Sequence, residues 1–445
     1  MGAHPPLERA LAALREVSEE LSLEAWIVGG FVRDSLLGRP QPDLDLVVVG
    51  DASALAARFA QSVGAAPPIV FARFGTAQVT WEGLHFEFAT AREESYPVDS
   101  RKPHVRPVGI EADLRRRDFT VNALLMDFDG HVVDRAGGLK DLERRRLRTP
   151  RDADQTFADD PLRMLRAARL AAQLDFELDP SLVPAMRRQR DRLAPPILSM
   201  ERAGDELRKM LVSPRPRLAL EILDQGGLLE VLLPELAACR GVAQGGYHVA
   251  DVFAHSLLAL EQTSSDLELR LAALLHDVGK PATRADDGSF HTHEMVGAEL
   301  ARARLLHLRF SNRQADRVAR LIALHLRPAY YRPEWSDGAV RRLARDAGEL
   351  ILPLLDLARA DVGASSYPHA EWIDELRERT RRLLGERPSR LSPPITGADV
   401  MRLRGLTPGP EVGRLKARLM ELVLDGELEP ERDAILAHLA AHPEL

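Results

Sequence analysis

The segment WIVGGFVRDSLLGRPQPDLDLVVV, residues 26–49, decides the fold of the N-terminal part of the chain. It predicts an apolar strand, a turn at Gly29 and Gly30, a helix, and a second strand that carries Asp43 and Asp45. Because residues two apart on a strand point to the same side, the two carboxylates should project together beside the glycine turn. A Gly-Gly turn ahead of a helix lets backbone amides approach a phosphate, and paired carboxylates hold divalent cations. The segment therefore predicts a metal-dependent site that transfers a nucleotide.

Each of these features also has a simpler interpretation. A Gly-Gly pair can serve only as a tight turn, and an Asp-Leu-Asp sequence after a proline can keep an edge strand soluble. Their order and spacing favour the active-site interpretation. The segment resembles the signature GG-x-VRD followed by D-x-D of the class II tRNA nucleotidyltransferase and poly(A) polymerase family. That resemblance implies that Gly29, Gly30 and Arg33 hold a triphosphate, and that Asp43 and Asp45 carry Mg²⁺.

Length and composition describe an ordinary globular protein of several packed units. The chain has 445 residues, of which 45% are hydrophobic and 29% charged. The net charge of −7 argues against indiscriminate nucleic-acid binding over the whole surface, although it leaves room for a local basic site. The single cysteine, Cys239, excludes an internal disulfide framework, and no apolar run approaches membrane-spanning length. We therefore expect a cytoplasmic protein that makes no use of a membrane.

Short apolar strands between residues 69 and 89 predict that the sheet is small and mixed. Glu87, on the last of these strands, can bring a third catalytic carboxylate to the aspartate pair, or it can simply face solvent. The segment 96–107 contains three prolines and four basic residues. It predicts a flexible loop that gates the nucleotide site.

The segment DLRRRDFTVNALLMD, residues 113–127, places an arginine cluster where a bound triphosphate would need it. A surface helix end with i,i+4 ion pairs is the simpler interpretation. The segment resembles the RRDFT-x-N-A motif of the same family at nearly every position. That resemblance implies that Arg117 and Asn122 bind the incoming nucleotide and brace the sheet.

The sequence DDPLR at residues 159–163 begins a helix with polar residues at intervals of three. These residues fall along one side of the helix: Asp160, Arg163, Arg166 and Arg169. Cytosine and adenine both present an amine next to a ring-nitrogen acceptor, so an adjacent carboxylate and guanidinium would admit C and A and reject U and G. Solvent-exposed i,i+3 ion pairs are the alternative. The sequence resembles the E/D-D-x-x-R motif of CCA-adding enzymes, which implies that Asp160 and Arg163 select CTP and then ATP, assisted by the two later arginines.

Histidine and aspartate residues recur at successive helix centres and ends in the third quarter of the chain. The six candidates are His255, His276, Asp277, His293, His325 and Asp361. A lone histidine on an apolar face is more often a core residue, but this series is typical of a metal site. It resembles the HD superfamily of metal-dependent phosphohydrolases, which implies that these residues bind a divalent transition metal or Mg²⁺. His293 and His325 match the additional ligands of two-metal members, His291 could replace or assist His293, and Lys280 stands where a phosphate contact is expected.

The resemblance spans nearly the whole chain and implies an α+β protein. A small mixed-sheet nucleotidyltransferase head would be followed by an elongated, mostly α-helical neck, body, HD domain and tail. The predicted divisions are the head at 1–135, the neck and body for base selection and tRNA binding at 136–240, the HD domain at 241–370 and the tail at 371–445.

The activity implied is template-independent addition of C and A residues from CTP and ATP to the tRNA 3′ end. The HD domain would hydrolyse phosphoesters such as 2′,3′-cyclic phosphates at damaged RNA ends. Enzymes that add only CC or only A stay open as alternatives, as does a bacterial poly(A) polymerase, which the short tail of mixed charge disfavours. A metal phosphohydrolase with the head as an RNA-binding platform is the alternative of another class, and the Asp43 and Asp45 pair argues against it. The sequence does not give the oligomeric state.

Overall fold

The computed structural model describes residues 5–39, 42–95, 104–107, 109–246, 250–385 and 395–445. The chain divides into two compact units, Met1–Leu232 and Leu233–Leu445. All the strands of the described residues belong to the first unit, and the described part of the second unit consists of helices and their connections. The α+β class expected from the sequence is confirmed. No described helix combines the length and the apolar character that crossing a bilayer requires.

Eleven strands lie among the described residues, and most of them form one mixed sheet. They are β1 (Glu24–Val28), β2 (Asp43–Val49), β3 (Ile69–Phe71), β4 (Thr76–Trp81), β5 (Leu84–Thr90), β6 (Arg92–Ser95), β7 (His104–Pro107), β8 (Leu124–Met126), β9 (Val132–Asp134), β10 (Arg146–Leu147) and β11 (Glu177–Leu178). Seven strands form the main sheet in the order β3-β4-β5-β2-β1-β8-β9. Within it β2 and β5 are parallel, and the other neighbours are antiparallel.

Eleven helices accompany the strands in the first unit. They are α1 (Pro5–Leu21), α2 (Gly30–Leu36), α3 (Ala52–Val63), α4 (Ile110–Arg115), α5 (Gly138–Glu143), α6 (Ala153–Asp159), α7 (Leu162–Leu174), α8 (Leu182–Gln189), α9 (Met200–Leu211), α10 (Pro216–Gln225) and α11 (Leu229–Leu232). Helices α1 and α3 bury one face of the main sheet, where Phe59 packs against Phe86 and Phe88. Helix α4 covers only part of the other face, around Val28 and Val47. Among the described residues, the part of that second face that carries Asp43 and Asp45 is exposed.

The second unit is built from thirteen described helices. They are α12 (Pro234–Ala237), α13 (Val252–Glu261), α14 (Leu267–Leu275), α15 (Lys280–Thr283), α16 (His293–His307), α17 (Asn312–Leu324), α18 (Leu326–Ala329), α19 (Asp337–Ala347), α20 (Ile351–Gly363), α21 (Glu371–Leu384), α22 (Gly397–Arg404), α23 (Pro410–Asp425) and α24 (Arg432–Ala441). Several begin at side-chain caps: Asp251, Asp266 and Ser311 each accept a backbone N–H of the first turn. These caps fix where the helices that carry the predicted metal ligands begin.

The segment 96–107 was predicted to be a loop throughout, and this was wrong at its C-terminal end. Residues His104–Pro107 form β7, which pairs antiparallel with β6 in a two-stranded hairpin. The strand is tolerated because Pro107 is its last residue, where a missing N–H interrupts the ladder least. Residues 96–103 lie outside the described residues, so their predicted gating role stays a prediction.

Candidate active site and metal centre

Three carboxylates stand together on the open face of the sheet. Along β2, Asp43 and Asp45 are exposed while Leu44 and Leu46 are buried, so the two aspartates share one face as the period of two requires. Strand β5 runs beside β2 and pairs Glu87 with Asp45. The third carboxylate predicted from the sequence is therefore adjacent to the pair.

Gly29 leaves space directly beside Asp45. It follows Val28, which pairs with Asp45 across β1 and β2, and its φ of 81° favours glycine. A Cβ atom at Gly29 would lie 2.9 Å from Asp45 Oδ2 and 3.7 Å from Arg117 Nη1. A carboxylate, a guanidinium and a backbone turn thus surround a space that any side chain would fill. Cations held by the carboxylates and a phosphate held by the guanidinium fit this arrangement.

A chain of buried side-chain hydrogen bonds joins the glycine turn to helix α7. Arg33 pairs with Asp34 at 2.8 Å and donates from Nη1 to Asn122 Oδ1 at 2.6 Å. Asn122 Nδ2 donates to Asp118 Oδ1 at 3.0 Å, and Arg166 Nε donates to Asp118 Oδ2 at 2.8 Å. These contacts bring three sequence motifs, more than forty residues apart, into one network. Arg33 and Asn122 act within it as braces of the site.

The electrostatics of this network differ from those of the three carboxylates on the sheet. Burial opposes ionisation of Asp118, but Arg166 and the hydrogen bond from Asn122 hold the pKa of Asp118 well below its usual value. At Asp45, loss of hydration and the neighbouring Glu87 raise the pKa, while Arg117 acts in the opposite direction. A carboxylate whose pKa is raised by burial and by a neighbouring carboxylate is typical of a functional site that binds positive charge.

Asp160 and Arg163 lie at the start of α7, next to the arginine-rich segment. Arg163 donates to the carbonyl oxygens of Thr156 at 3.2 Å and Arg116 at 2.6 Å, which fixes the guanidinium beside that segment. Asp160 Oδ2 accepts from the half-exposed Arg202 at 3.1 Å. The structure therefore brings the predicted base-reading pair to the same region as Arg117.

Arg169, farther along α7, has different neighbours. Its Nε donates to the buried Glu206 at 2.6 Å, and its Nη1 donates to Gln173 at 3.0 Å. These contacts tie α7 to α9. The part predicted for Arg169 in base recognition stays a prediction.

The six predicted metal ligands converge in the second unit. Five helices or helix ends deliver them: His255 from α13, His276 and Asp277 just after α14, His293 at the start of α16, His325 just after α17 and Asp361 from α20. His255 Nε2 lies 2.9 Å from Asp361 Oδ1, and His276 Nε2 lies 3.2 Å from Asp277 Oδ2. His293 Nε2 and His325 Nε2 lie 3.3 and 3.9 Å from Asp277 Oδ1. His291 is exposed, so His293 is the histidine of that pair that joins the cluster.

The second ring nitrogen of each histidine fixes its orientation. The Nδ1 atoms of His276, His293 and His325 each lie within 2.8 Å of the carbonyl oxygen three residues earlier. Each Nδ1 therefore donates, and each Nε2 is left as an acceptor turned to the centre, as a metal requires. Within the part of the chain that the structure describes, the buried Nε2 atoms of His276 and His293 have no hydrogen-bond partner. These orphaned nitrogens fit a divalent cation.

The charges at this centre also fit a cation. Burial disfavours the imidazolium form of His276, but the carboxylates of Asp277 and Asp361 raise its pKa to about 10, so a divalent cation bound at this centre would displace a proton from Nε2. Lys280 Nζ donates to Asp277 Oδ2 and to Gln244 Oε1, both at 2.7 Å. A cavity of about 350 Å³ opens onto these residues. The cavity is large enough for a small phosphoester.

Family comparisons agree with both sites. Residues 25–148 match the family described as "Poly A polymerase head domain", and residues 175–240 match "Probable RNA and SrmB- binding site of polymerase A". Residues 245–364 match "HD domain". The three matches fall in the order expected from the sequence motifs.

Two curated relatives resemble the chain over nearly its full length. It is 37% identical to an A-adding tRNA nucleotidyltransferase of Deinococcus radiodurans, over 92% of this chain and 94% of the relative. It is 36% identical to a CC-adding tRNA nucleotidyltransferase of Thermus thermophilus, over 92% of each. A crystal structure of the Bacillus stearothermophilus CCA-adding enzyme in complex with CTP has a TM-score of 0.72 at 26% identity, covering 99% of this chain and 98% of that one. The chain belongs to the tRNA nucleotidyltransferase family and carries an HD domain.

Several residues that organise the sites were not singled out from the sequence. Asp118 joins Arg166 to Asn122, Glu206 holds Arg169, and Gln244 holds Lys280. The sequence carries a usable signal for Glu206, because it places this glutamate on the apolar face of an amphipathic helix, where a charged side chain needs a partner. The partner itself could not be identified, because it lies 37 residues away.

Proposed function

We propose that the chain adds C and A residues from CTP and ATP to the 3′ end of tRNA without a nucleic-acid template. The observation that carries this proposal is the cluster of Asp43, Asp45 and Glu87 facing the space beside Gly29. Divalent cations such as Mg²⁺, bound by these carboxylates, would lower the pKa of the attacking hydroxyl and neutralise the leaving pyrophosphate. With tRNA and nucleoside triphosphates as substrates, we place the reaction in the cytoplasm.

The protein's own part in the transfer is to hold and orient the substrates. Gly29 and Gly30 let the backbone approach the triphosphate, and Arg117 supplies positive charge beside it. Arg33 is bound to Asp34 and Asn122, so it holds the glycine turn in place. Rigid positioning of this kind contributes much of the rate in a reaction that needs little covalent chemistry from the protein.

Base selection is proposed for Asp160 and Arg163. The Asp160–Arg202 pair is open to solvent, and such pairs are worth only about 0–1 kcal/mol, so the amine of C or A can replace Arg202. The two carbonyl contacts of Arg163 use two of its five N–H donors, and they orient the guanidinium for a ring nitrogen. A uracil or guanine would present a carbonyl oxygen to a carboxylate, which is repulsive.

The nucleotides that this chain adds are settled by one experiment. Its relatives include an A-adding and a CC-adding enzyme, and CCA addition combines the two activities. The protein is incubated with tRNA lacking none, one, two or three terminal nucleotides, and with each nucleoside triphosphate in turn. Our proposal requires that CMP is added to the tRNAs that lack three or two terminal nucleotides. It also requires that AMP is added to the tRNA that lacks one. Extension by AMP alone, by CMP alone, or by long runs of A would assign the A-adding, CC-adding or poly(A)-forming alternative.

We further propose that the HD domain hydrolyses phosphoesters, such as 2′,3′-cyclic phosphates at RNA ends. The orphaned histidine nitrogens and the adjacent cavity support this proposal. His255, His276, Asp277 and Asp361 would hold the metal, which polarises the ester and activates water when bound. Lys280 is held at the cavity wall, where it can meet a phosphate oxygen.

Hydrolysis should disappear in the double variant His276→Ala with Asp277→Ala. Nucleotide addition by the same protein should continue, because the head carboxylates belong to the other unit. Release of phosphate from an RNA ending in a 2′,3′-cyclic phosphate is the measurement. Undiminished hydrolysis in the double variant would refute the assignment. Hydrolysis by the wild type without incorporation of labelled CTP would instead favour a phosphohydrolase whose head only binds RNA.

A further inference from the structure

We propose that an exposed apolar edge of the head sheet binds the unpaired 3′ end of the RNA acceptor by base stacking. We call this surface the β3 edge and define it as Ile69, Phe71 and Phe74. The proposal rests on the proposed nucleotide-adding function, because it assigns the position of the acceptor relative to the catalytic carboxylates.

The β3 edge continues the row of residues that begins at the carboxylates. Asp45 pairs with Glu87, Glu87 with Gln78, and Gln78 with Ile69. Residues paired directly across strands point to the same face of a sheet, so these four side chains form one line. At about 4.8 Å per strand, Ile69 lies roughly 14 Å from Asp45. The edge is thus within reach of the last nucleotides of a strand whose end is at Asp45.

Phe71, an aromatic residue of the β3 edge, belongs to a second row of paired residues on the same face. Phe71 pairs with Thr76, and Thr76 pairs with Ala89, next to Val47. The face between the edge and the carboxylates carries short polar side chains, among them Thr80 and His85, whose Oγ1 and Nδ1 lie 3.1 Å apart. A flat polar surface with an apolar border suits a sugar–phosphate chain whose bases rest on the border.

The β3 edge is unusual because its large apolar side chains are exposed to solvent. The exposed fractions are 63% for Ile69, 41% for Phe71 and 48% for Phe74. Large apolar side chains at a sheet edge invite aggregation, so they are normally covered or replaced by charged residues. Arg73 adds a cation here, with its guanidinium carbon 5.7 Å from the centre of the Phe74 ring. Exposed aromatic side chains with an arginine among them are how proteins hold single-stranded nucleic acid.

The direction of the reaction selects the acceptor as the occupant. Gly29 and Arg117, which we assign to the triphosphate, approach Asp45 from the β1 side. The attacking hydroxyl and the leaving pyrophosphate must lie on opposite sides of the phosphorus in an in-line transfer. The acceptor end therefore arrives from the β5 side. Among the described residues, the sheet continues beyond β5 through β4 to the β3 edge.

The test separates base stacking from a merely structural role. Phe71→Ala should raise the KM for tRNA roughly tenfold, as expected for loss of one stacked base, and should leave the KM for CTP and kcat nearly unchanged. Phe71→Trp should keep the KM for tRNA near the wild-type value, because tryptophan offers a larger stacking face than alanine or phenylalanine. Val70→Ala is the matched control, since Val70 is exposed on the same strand but pairs with Ala77 and faces the other side.

Three results would overturn the proposal. The first is a KM for tRNA that is the same in Phe71→Ala and Val70→Ala. The second is full restoration by Phe71→Leu, which would indicate apolar contact without stacking. The third is a change of oligomeric state in Phe71→Ala by light scattering, which would make the edge a protein interface.

A binding measurement keeps this proposal distinct from the proposed function. Phe71→Trp adds a fifth tryptophan to the four of the wild type, so tRNA lacking its terminal nucleotides should quench the fluorescence of the variant more strongly than that of the wild type. If no nucleotide is incorporated but quenching occurs, the proposed function fails and the RNA surface stands. If incorporation is normal and no quenching occurs, the β3 edge assignment fails alone.

Discussion

At the scale of single residues, Asp118 occupies the centre of the hydrogen-bond network in the head. It is buried and accepts hydrogen bonds from both Asn122 and Arg166, so it connects the glycine turn to α7. If the charge of Asp118 were removed, Arg166 would lose its carboxylate partner. Loss of one partner of a buried pair is among the more damaging single changes.

Asp118→Asn should lower the free energy of unfolding by about 3 kcal/mol, the low end for a buried pair, because Arg166 is partly exposed. Asp154→Asn, which breaks the exposed pair with Arg188, should cost at most about 1 kcal/mol. Urea unfolding of both variants measures the difference. Equal losses would show that the Asp118 network does not brace the site.

The pH dependence of the same variant follows from the lowered pKa of Asp118. A carboxyl whose pKa is lower in the folded state stabilises the protein above its unfolded pKa and loses that contribution as the pH falls toward the folded value. The stability difference between wild type and Asp118→Asn should therefore be constant near neutral pH. It should shrink below about pH 4. A difference that grows on acidification would contradict the assigned ion pair.

Gly29 allows a sharper test of the space beside Asp45. Gly29→Ala places a methyl group 2.9 Å from Asp45 Oδ2 and also strains the backbone at φ 81° and ψ −142°, a conformation that costs a non-glycine residue about 1–3 kcal/mol. Gly38→Ala strains a positive φ of 69°, at about 1–2 kcal/mol, with no atom within 4 Å of the new methyl group. Gly29→Ala should lose the more stability of the two, and only Gly29→Ala should lose nucleotide addition in the folded protein. Equal activities would mean that the triphosphate does not use this space.

At the scale of elements, we propose that the sheet carries the chemistry of the reaction and that α7 carries the choice of base. Strands β2 and β5 present the carboxylates, while the start of α7 presents Asp160 and Arg163. The helix is fastened to the head by Arg163 and Arg166, so its first turn is held beside the arginine-rich segment. Selection of the base can then change without changing the catalytic carboxylates.

Asp160→Ala should reduce the preference for CTP over UTP while incorporation itself continues. The carboxylate that accepts the cytosine amine would be gone, and a discrimination of about 1–3 kcal/mol per paired base edge would be lost. Arg202→Ala is the control, because it removes the partner of Asp160 but keeps the carboxylate. Competition between CTP and UTP for the same acceptor measures the ratio. An unchanged ratio in Asp160→Ala would overturn the assignment.

Local patterns account for how much of these elements could be predicted from the sequence. The strict alternation of Asp43 to Leu46 is a period-two signal, and the strand begins at Asp43 as that pattern required. The pairing of Arg166 with Asp118 spans 48 residues and depends on how α7 packs, which no local pattern encodes. The strand at His104–Pro107 was missed because a proline and basic residues are typical of a loop, whereas its pairing with β6 decides the outcome.

At the scale of the whole molecule, the two candidate metal sites lie in two separate units of one chain. The head site lies in the first unit and the histidine cluster in the second. The motifs of each were recognisable in the sequence because they are compact, whereas the convergence of six ligands from five helices could be expected only from the resemblance. The roles of these residues remain predictions that the structure makes testable.

The most direct test of the central claim is incorporation of labelled CTP into tRNA that lacks its terminal nucleotides, by the wild type and by Asp45→Asn. The substitution keeps the shape of the side chain and removes one charge from the row of carboxylates. The double variant His276→Ala with Asp277→Ala serves as the control. We predict incorporation by the wild type and the control, and none by Asp45→Asn although it still binds tRNA. Undiminished incorporation by Asp45→Asn would contradict the account.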